Sequence, residues 1–248
     1  MSYSVEPNTS IPYQIRYADD HLLVVEKPSG VVTQPGRKHE TTSLLNGLFT
    51  NYGNQLQNLG ESRGWGLLHR LDKDTSGLVL VALRNRAYDH LLDQFKNRRV
   101  KKTYWAIVSG RPRPAQGVIQ KSIKEVVGSR KKAVISRDGK QGITAYRVLE
   151  SSEGVSLIEA RPKTGRLHQI RVHFAALGHP LLGETLYCGK EKPPQVRRLC
   201  LHAANLSFIH PETTHRVEVR TLWPKDLAKT LKRFGLSAPD SLTENDSA

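Results

Sequence analysis

Residues 66–83 read GLLHRLDKDTSGLVLVAL. The last six, Leu78–Leu83, form an unbroken apolar run, the pattern of a strand buried on both faces near the centre of a sheet. Thr75, Ser76 and Gly77, directly ahead of it, are turn-formers. His69, Arg70, Asp72, Lys73 and Asp74 are therefore crowded onto a turn between two segments that both seek burial.

Outward from this strand the hydrophobic period keeps switching. Residues 22–26 (LLVVE) read as a short strand stopped by Pro28-Ser29-Gly30. Further strand-like runs fall at 103–108, 118–123, 143–149, 155–160, 204–209 and 217–222. Helical spacing marks 86–98, with Asn85 as its cap and Ala87, Leu91, Leu92 and Phe95 on one face. A second helix is expected at about 165–177 on Leu167, Ile170, Phe174 and Leu177, and a third between Pro224 and Gly235. Many strands with three helices predict an α+β fold with a large, mainly antiparallel sheet. One domain is expected over residues 11–236, with polar, fraying tails at 1–10 and 237–248.

Charge dominates the composition. Thirty-eight basic against 23 acidic residues in 248 leave +15, which predicts attraction to polyanions and favours nucleic acid. No apolar run approaches the ~18–20 residues of a membrane span, and no secretory signal opens the chain. Cys188 and Cys200 are too far apart for a CxxC site and read as reduced hydrophobes of a cytoplasmic protein. No long apolar seam asks for a second copy, so a monomer without an obligatory protein partner is expected.

The basic residues bunch at 96–102 (KNRRVKK), 129–140 (SRKKAVISRDGK) and 161–173 (RPKTGRLHQIRVH). The first is a helix end, where cations answer the macrodipole. The second reads as a polar, hairpin-like loop reaching for phosphates through Arg130, Lys131 and Lys132. In the third, Lys163, Arg166 and Arg171 surround a helix start, a place that repels cations unless an anion is bound. Lys163, His168, Gln169 and Arg171 are the candidate contacts there to a nucleic-acid phosphate.

Asp72, set just before a central strand, is a natural partner for a cation such as Arg166. Pairing keeps a carboxylate ionised in a partly dry cleft, where it can serve as a nucleophile. Asp74 reads as a turn cap. Asp72-Lys73-Asp74-Thr75 also fits the DxDxT pattern of magnesium-dependent aspartyl phosphatases, although His69 and Arg70 separate it from the preceding apolar residues. No GxSxG, GxGxxG, HExxH or Cys/His cluster is present.

The nine residues 69–77, HRLDKDTSG, resemble the HRLDxxTSG signature of the RluA-type RNA pseudouridine synthases. Four further blocks resemble family segments in family order: 21–30 (HLLVVEKPSG), 101–110 (KKTYWAIVSG), 163–173 with 177–183 (LGHPLLG), and 201–203 (LHA). The resemblance implies a bent mixed sheet with flanking helices and loops and a central cleft. It implies isomerisation of selected uridines to pseudouridine in ribosomal or transfer RNA, without cofactor or metal. On these positions Asp72 matches the catalytic aspartate, Tyr104 the tyrosine that packs on the target base, and Arg166 the arginine that pairs with the aspartate. Arg70 matches the arginine that fills the space of the everted base. Leu167 stands where many members carry Thr or Ser, and Gln34 where His is common. The short segment ahead of the first block leaves no room for the family's small RNA-binding domain. The alternatives are a non-catalytic RNA-binding protein or chaperone and, more remotely, the phosphatase.

Overall fold

The computed structural model describes residues 3–127, 131–188 and 193–239. Its strands are β1 (Gln14–Ala18), β2 (Leu22–Lys27), β3 (Ser76–Ala82), β4 (Lys101–Ser109), β5 (Gln116–Val126), β6 (Lys132–Ile135), β7 (Lys140–Ser152), β8 (Val155–Pro162), β9 (Leu201–Ile209) and β10 (Arg216–Arg220). The α-helices are α1 (Leu44–Leu59), α2 (Asn85–Lys96), α3 (Gln169–Ala176) and α4 (Ala228–Arg233). Ten strands and four α-helices among the described residues make an α+β protein. The chain forms two compact units, Met1–Lys101 with Asn205–Thr221, and Lys102–Ala204 with Leu222–Ala248.

In the first unit β2 lies antiparallel between β1 and β3, with Leu22 opposite Ala82 and Lys27 opposite Gly77. Every residue of β3 is buried, as the apolar run requires. Helix α1 was not anticipated. Gly47, Gly53 and scattered asparagines break its hydrophobic period, yet Ser43 and Asn46 close a reciprocal capping box at its start. Those glycines have a use. A Cβ on Gly47 would stand 2.9 Å from Ile11, and one on Gly53 would stand 2.7 Å from the Tyr3 ring. Tyr3 also packs edge-on against Phe49, Ser4 N–H donates to Gln57, and Val5 is buried. The expected tail at 1–10 is corrected on this point: residues 3–10 lie against α1, anchored by side chains that their overall polarity concealed. In α2 the cap position falls on Arg84 rather than Asn85, with no side-chain cap. The buried amide of Gln94 instead exchanges two hydrogen bonds, of 2.7 and 2.8 Å, with the backbone of Ile209.

The second unit holds the antiparallel succession β4-β8-β7-β5-β6. β4 and β8 are buried on both faces. Trp105, Ile107, Val155 and Leu157 point into one cluster with Trp223, Leu227, Leu231 and Phe234 of the C-terminal helical segment. Ala106, Val108, Ile158 and Ala160 point into the other, with Ile170 and Phe174 of α3. Cys200 is buried in the first cluster, its thiol pushed up to about 12 by burial, so it acts as a small hydrophobe. β6 lies inside the stretch expected as a loop, pairing Lys132 with Val126 and Ile135 with Ile123. Helix α3 begins at Gln169, four residues later than expected, because His168 adopts a left-handed conformation (φ 50°) ahead of it. Ser237 N–H donates to Glu150 at 2.7 Å, so that residue is held rather than frayed.

Candidate active site

The loop carrying Asp72 is held by its backbone. Thr33 Oγ1 donates to Leu71 C=O at 2.8 Å and accepts Leu71 N–H at 3.1 Å. Gly30 N–H donates to Lys73 C=O at 2.8 Å, and Ser29 Oγ donates to Asp74 C=O at 2.8 Å. Thr75 N–H closes the turn onto Asp72 C=O at 3.1 Å. Leu71, Lys73 and Asp74 are thus referenced to the segment that leaves β2, and Asp72 between them is closed into the turn by Thr75. Beneath them Lys27, fully buried, donates to Pro28 C=O at 2.9 Å, Val31 C=O at 2.6 Å and Lys73 C=O at 3.3 Å. Its ammonium sits where carbonyl oxygens converge, which satisfies a buried cation and ties both loops together.

His69 braces the same loop. Its Nε2 accepts Leu80 N–H at 3.0 Å, which places the ring proton of neutral histidine on Nδ1, and the ring lies 5.2 Å from that of Phe95. Its charge-bearing neighbours face differently: Asp72 is half-buried and Arg70 exposed. The strand and the turn explain the crowding of charge. The carbonyls of Leu71, Asp72, Lys73 and Asp74 and the amides of Leu71 and Thr75 are occupied, so Arg70 and Asp72 sit on a fixed frame.

In the second unit Tyr104 stands near the start of β4, opposite Ala160 on β8, half-buried against the α3 cluster. β8 ends two residues later at Pro162, and Lys163–His168 forms the connection into α3. Arg166 is half-buried in that connection, its Nε donating to Gln141 C=O at 3.1 Å. Lys102 shares the strand with Tyr104 two residues away, on the same face by alternation. Its Nζ lies 3.8 Å from where a Cβ on Gly165 would stand, so a larger residue there would meet the amine. Burial pushes the Lys102 ammonium down to about 8. Lys102, Lys27 and Thr33 escaped the sequence reading, since a lysine beside a strand looks like surface until its environment is known.

Two expected RNA contacts are corrected. Gln169 is only 4% exposed, and its amide is consumed internally: Oε1 accepts from Thr164 Oγ1 (2.7 Å) and Arg166 N–H (3.1 Å), Nε2 donates to Ile143 C=O (3.0 Å) and Thr144 Oγ1 (2.9 Å). Arg171 is buried too, its Nε and Nη2 forked onto Glu184 at 2.7 and 2.8 Å, with Tyr187 against the guanidinium. Burial raises the Glu184 carboxyl, but hydrogen bonds and charge from Arg171, with the Thr185 and Leu186 amides, outweigh it and hold it below the usual range. The anion answering the third cationic cluster is, for Arg171, a carboxylate thirteen residues along the chain. His168 is half-buried, its Nδ1 bonded to the Tyr187 hydroxyl. Lys163, Lys131 and Lys132 are exposed, Lys131 within 2.6 Å of Glu125. Arg130 lies outside the described residues.

A clamped aspartate loop and a strand-borne tyrosine followed by an arginine connection reproduce the ordered blocks of the sequence. Residues 21–176 match the RNA pseudouridylate synthase family. The chain belongs to it. A ribosomal large subunit pseudouridine synthase D of Zymomonas mobilis is 37% identical over 236 residues, covering 92% of this chain and 74% of that protein. An uncharacterized RNA pseudouridine synthase of Bacillus subtilis is 38% identical, covering 89% and 72%. Among solved structures, human RNA pseudouridylate synthase domain containing 1 superposes with a TM-score of 0.72 at 30% identity, over 97% of both chains. RNA pseudouridine synthases isomerise uridine to pseudouridine in RNA, and this chain is one of them. The chaperone and phosphatase alternatives are disfavoured accordingly. Among the described residues no helix is long and apolar enough to cross a membrane.

Proposed function

We propose that the chain isomerises uridines of structured ribosomal RNA, with Asp72 as nucleophile on a nucleotide drawn out of its stack. The likeness to a ribosomal large subunit enzyme over most of both chains favours ribosomal over transfer RNA. The residue assignment is carried by the clamp on 71–74. Side-chain chemistry at a ribose carbon needs a backbone that stays put, because a misplacement of about 1 Å costs on the order of 10²-fold in rate.

Extruding the uridine costs a few kcal/mol, which phosphate contacts from exposed Lys163, Lys131 and Lys132 offset. Arg70, exposed beside the loop, fills the space the base vacates. Asp72 acts on the ribose, by attack at C1′ or by taking the C2′ proton, and the N1–C1′ bond breaks with its electrons left on the uracil. The detached base turns and C5 bonds to C1′, displacing the Asp72 carboxylate in the first route or with return of the proton to C2′ in the second; the C5 proton is lost to solvent and N1 takes one up. Tyr104 packs on the base and limits its motion, while Arg166 supplies positive charge to the reacting nucleotide. Nothing is hydrolysed, so one carboxylate suffices.

Asp72→Asn is expected to lower tritium release from RNA carrying 5-tritiated uridine by at least about 10³-fold, with RNA affinity retained. Turnover at the wild-type rate rejects the assignment. Mapping pseudouridine in ribosomal RNA from cells with and without the gene identifies the position.

A further inference from the structure

The buried amide of Gln169 is placed to do more than fill space. Arg166 donates its N–H to Gln169 Oε1 at 3.1 Å and accepts the Gln169 N–H on its C=O at 3.1 Å, so one residue holds both backbone polar groups of the arginine. The other half of the amide grips β7 at Ile143 C=O and Thr144 Oγ1. Arg166 itself reaches β7 through Nε on Gln141 C=O. Backbone and side chain of the arginine are therefore both referenced to one strand.

The network ends cleanly on either side. Thr164 Oγ1 donates to Gln169 Oε1 and accepts Ile143 N–H at 2.9 Å. Thr144 Oγ1, accepting from Gln169, has its proton for His173 Nδ1 at 2.9 Å, and His173 Nε2 faces Lys121 C=O at 3.3 Å. That pattern needs a neutral imidazole protonated on Nε2, and burial holds the His173 pKa below its ordinary value. Each polar group along this path has a partner of the right polarity. An apolar residue would leave Arg166 N–H and the Thr164 hydroxyl without this acceptor, so the amide both satisfies the connection and fixes it to β7.

We propose that Gln169 is a positioning residue for Arg166, setting the direction in which the guanidinium is presented to the reacting nucleotide. This inference rests on the role proposed above for Arg166. Loss of the amide lets the connection between β8 and α3 shift relative to β7, and the isomerisation step slows while RNA binding does not.

Single-turnover tritium release and equilibrium RNA binding are measured on the full chain for wild type, Gln169→Leu, Thr164→Val, Thr164→Ser, Arg166→Lys, Arg166→Met and the Arg166→Lys/Gln169→Leu double variant. Gln169→Leu and Thr164→Val are expected to lower the rate constant by about 10–10²-fold, with the RNA dissociation constant within about twofold, and Thr164→Ser is expected to restore the rate. In the Arg166→Lys background Gln169→Leu is expected to add little further loss. Wild-type rates in Gln169→Leu and Thr164→Val overturn the inference alone, as does a full, additive loss in the double variant. Unimpaired turnover in Arg166→Lys and in Arg166→Met removes the parent reading and this inference with it. Should Gln169→Leu fail to fold, the Thr164→Val and Thr164→Ser pair decides: equal rates overturn the proposal.

Discussion

Thr33 Oγ1 gives its proton to the Leu71 carbonyl at 2.8 Å and takes the Leu71 N–H at 3.1 Å, so a single hydroxyl satisfies the whole peptide valence of the residue beside Asp72. Both partners are buried. Thr33→Val keeps the shape and strands two backbone groups away from water, a change expected to cost about 2 kcal/mol or more. Thr33→Ser retains the hydroxyl and is expected to lose far less. Denaturant titration reads the stability difference, and tritium release is expected to fall in the valine variant beyond what the serine variant shows.

Arg171 and Glu184 form a second buried contact, with side chains 5% and 0% exposed. Arg171→Met leaves a buried carboxylate without its cation and is expected to destabilise by about 3–5 kcal/mol. Because the folded pKa of Glu184 lies below its ordinary value of 4.5, the unfolded chain takes up the proton first. The pair's contribution is therefore full above that value and is lost as pH falls through the folded pKa. Thermal melts from neutral to acid pH are expected to show a steeper loss in wild type than in an Arg171→Met/Glu184→Gln variant.

Lys102 works against the fold where the Arg171–Glu184 pair supports it, although stability rises with pH in both cases. Its folded pKa of about 8 lies below the usual 10.5, so between these values the unfolded chain binds more protons and stability from this group rises with pH. Tyrosines with raised pKa values, such as Tyr17 and Tyr88, act against it at higher pH. The prediction is therefore differential: the stability advantage of Lys102→Met over wild type is expected to be larger at pH 7 than at pH 10. An advantage independent of pH contradicts it.

The exposed lysines at the start of β6 differ in their surroundings. Lys131 is 2.6 Å from Glu125, whereas Lys132 faces Val126 across the strand pair. An ammonium already beside a carboxylate gains less from a phosphate. Lys132→Ala is expected to reduce the dependence of RNA affinity on salt by close to one phosphate's worth, a slope change of about 0.7–0.9 in log–log units, and Lys131→Ala by less. Equal slopes in both variants and wild type contradict a phosphate contact on this strand.

The strands at 22–26, 78–83, 103–108 and 155–160 were legible because burial on a pleated sheet demands apolar residues in short, uninterrupted or alternating runs. Helix α1 was not, since Gly47 and Gly53 serve the close approach of Ile11 and Tyr3, partners more than thirty residues away that no local window contains. Gln169 and Arg171 failed as RNA contacts for a related reason. Polarity in a sequence shows that a side chain needs a partner, and it does not show whether that partner is a ligand, Glu184 or Thr164.

By itself, then, the sequence determined the α+β class, the basic character and the ordered signature that names the chemistry, because these depend on composition, local periodicity and short spacing. Tertiary structure alone decided which polar residues face outward and which are spent inside. It also decided that Lys27 and Thr33 hold the loop of Asp72, and that Gln169 wires Arg166 to β7. Hydrogen bonds are directional and short-ranged, so their pairing follows from where the folded backbone brings distant residues together.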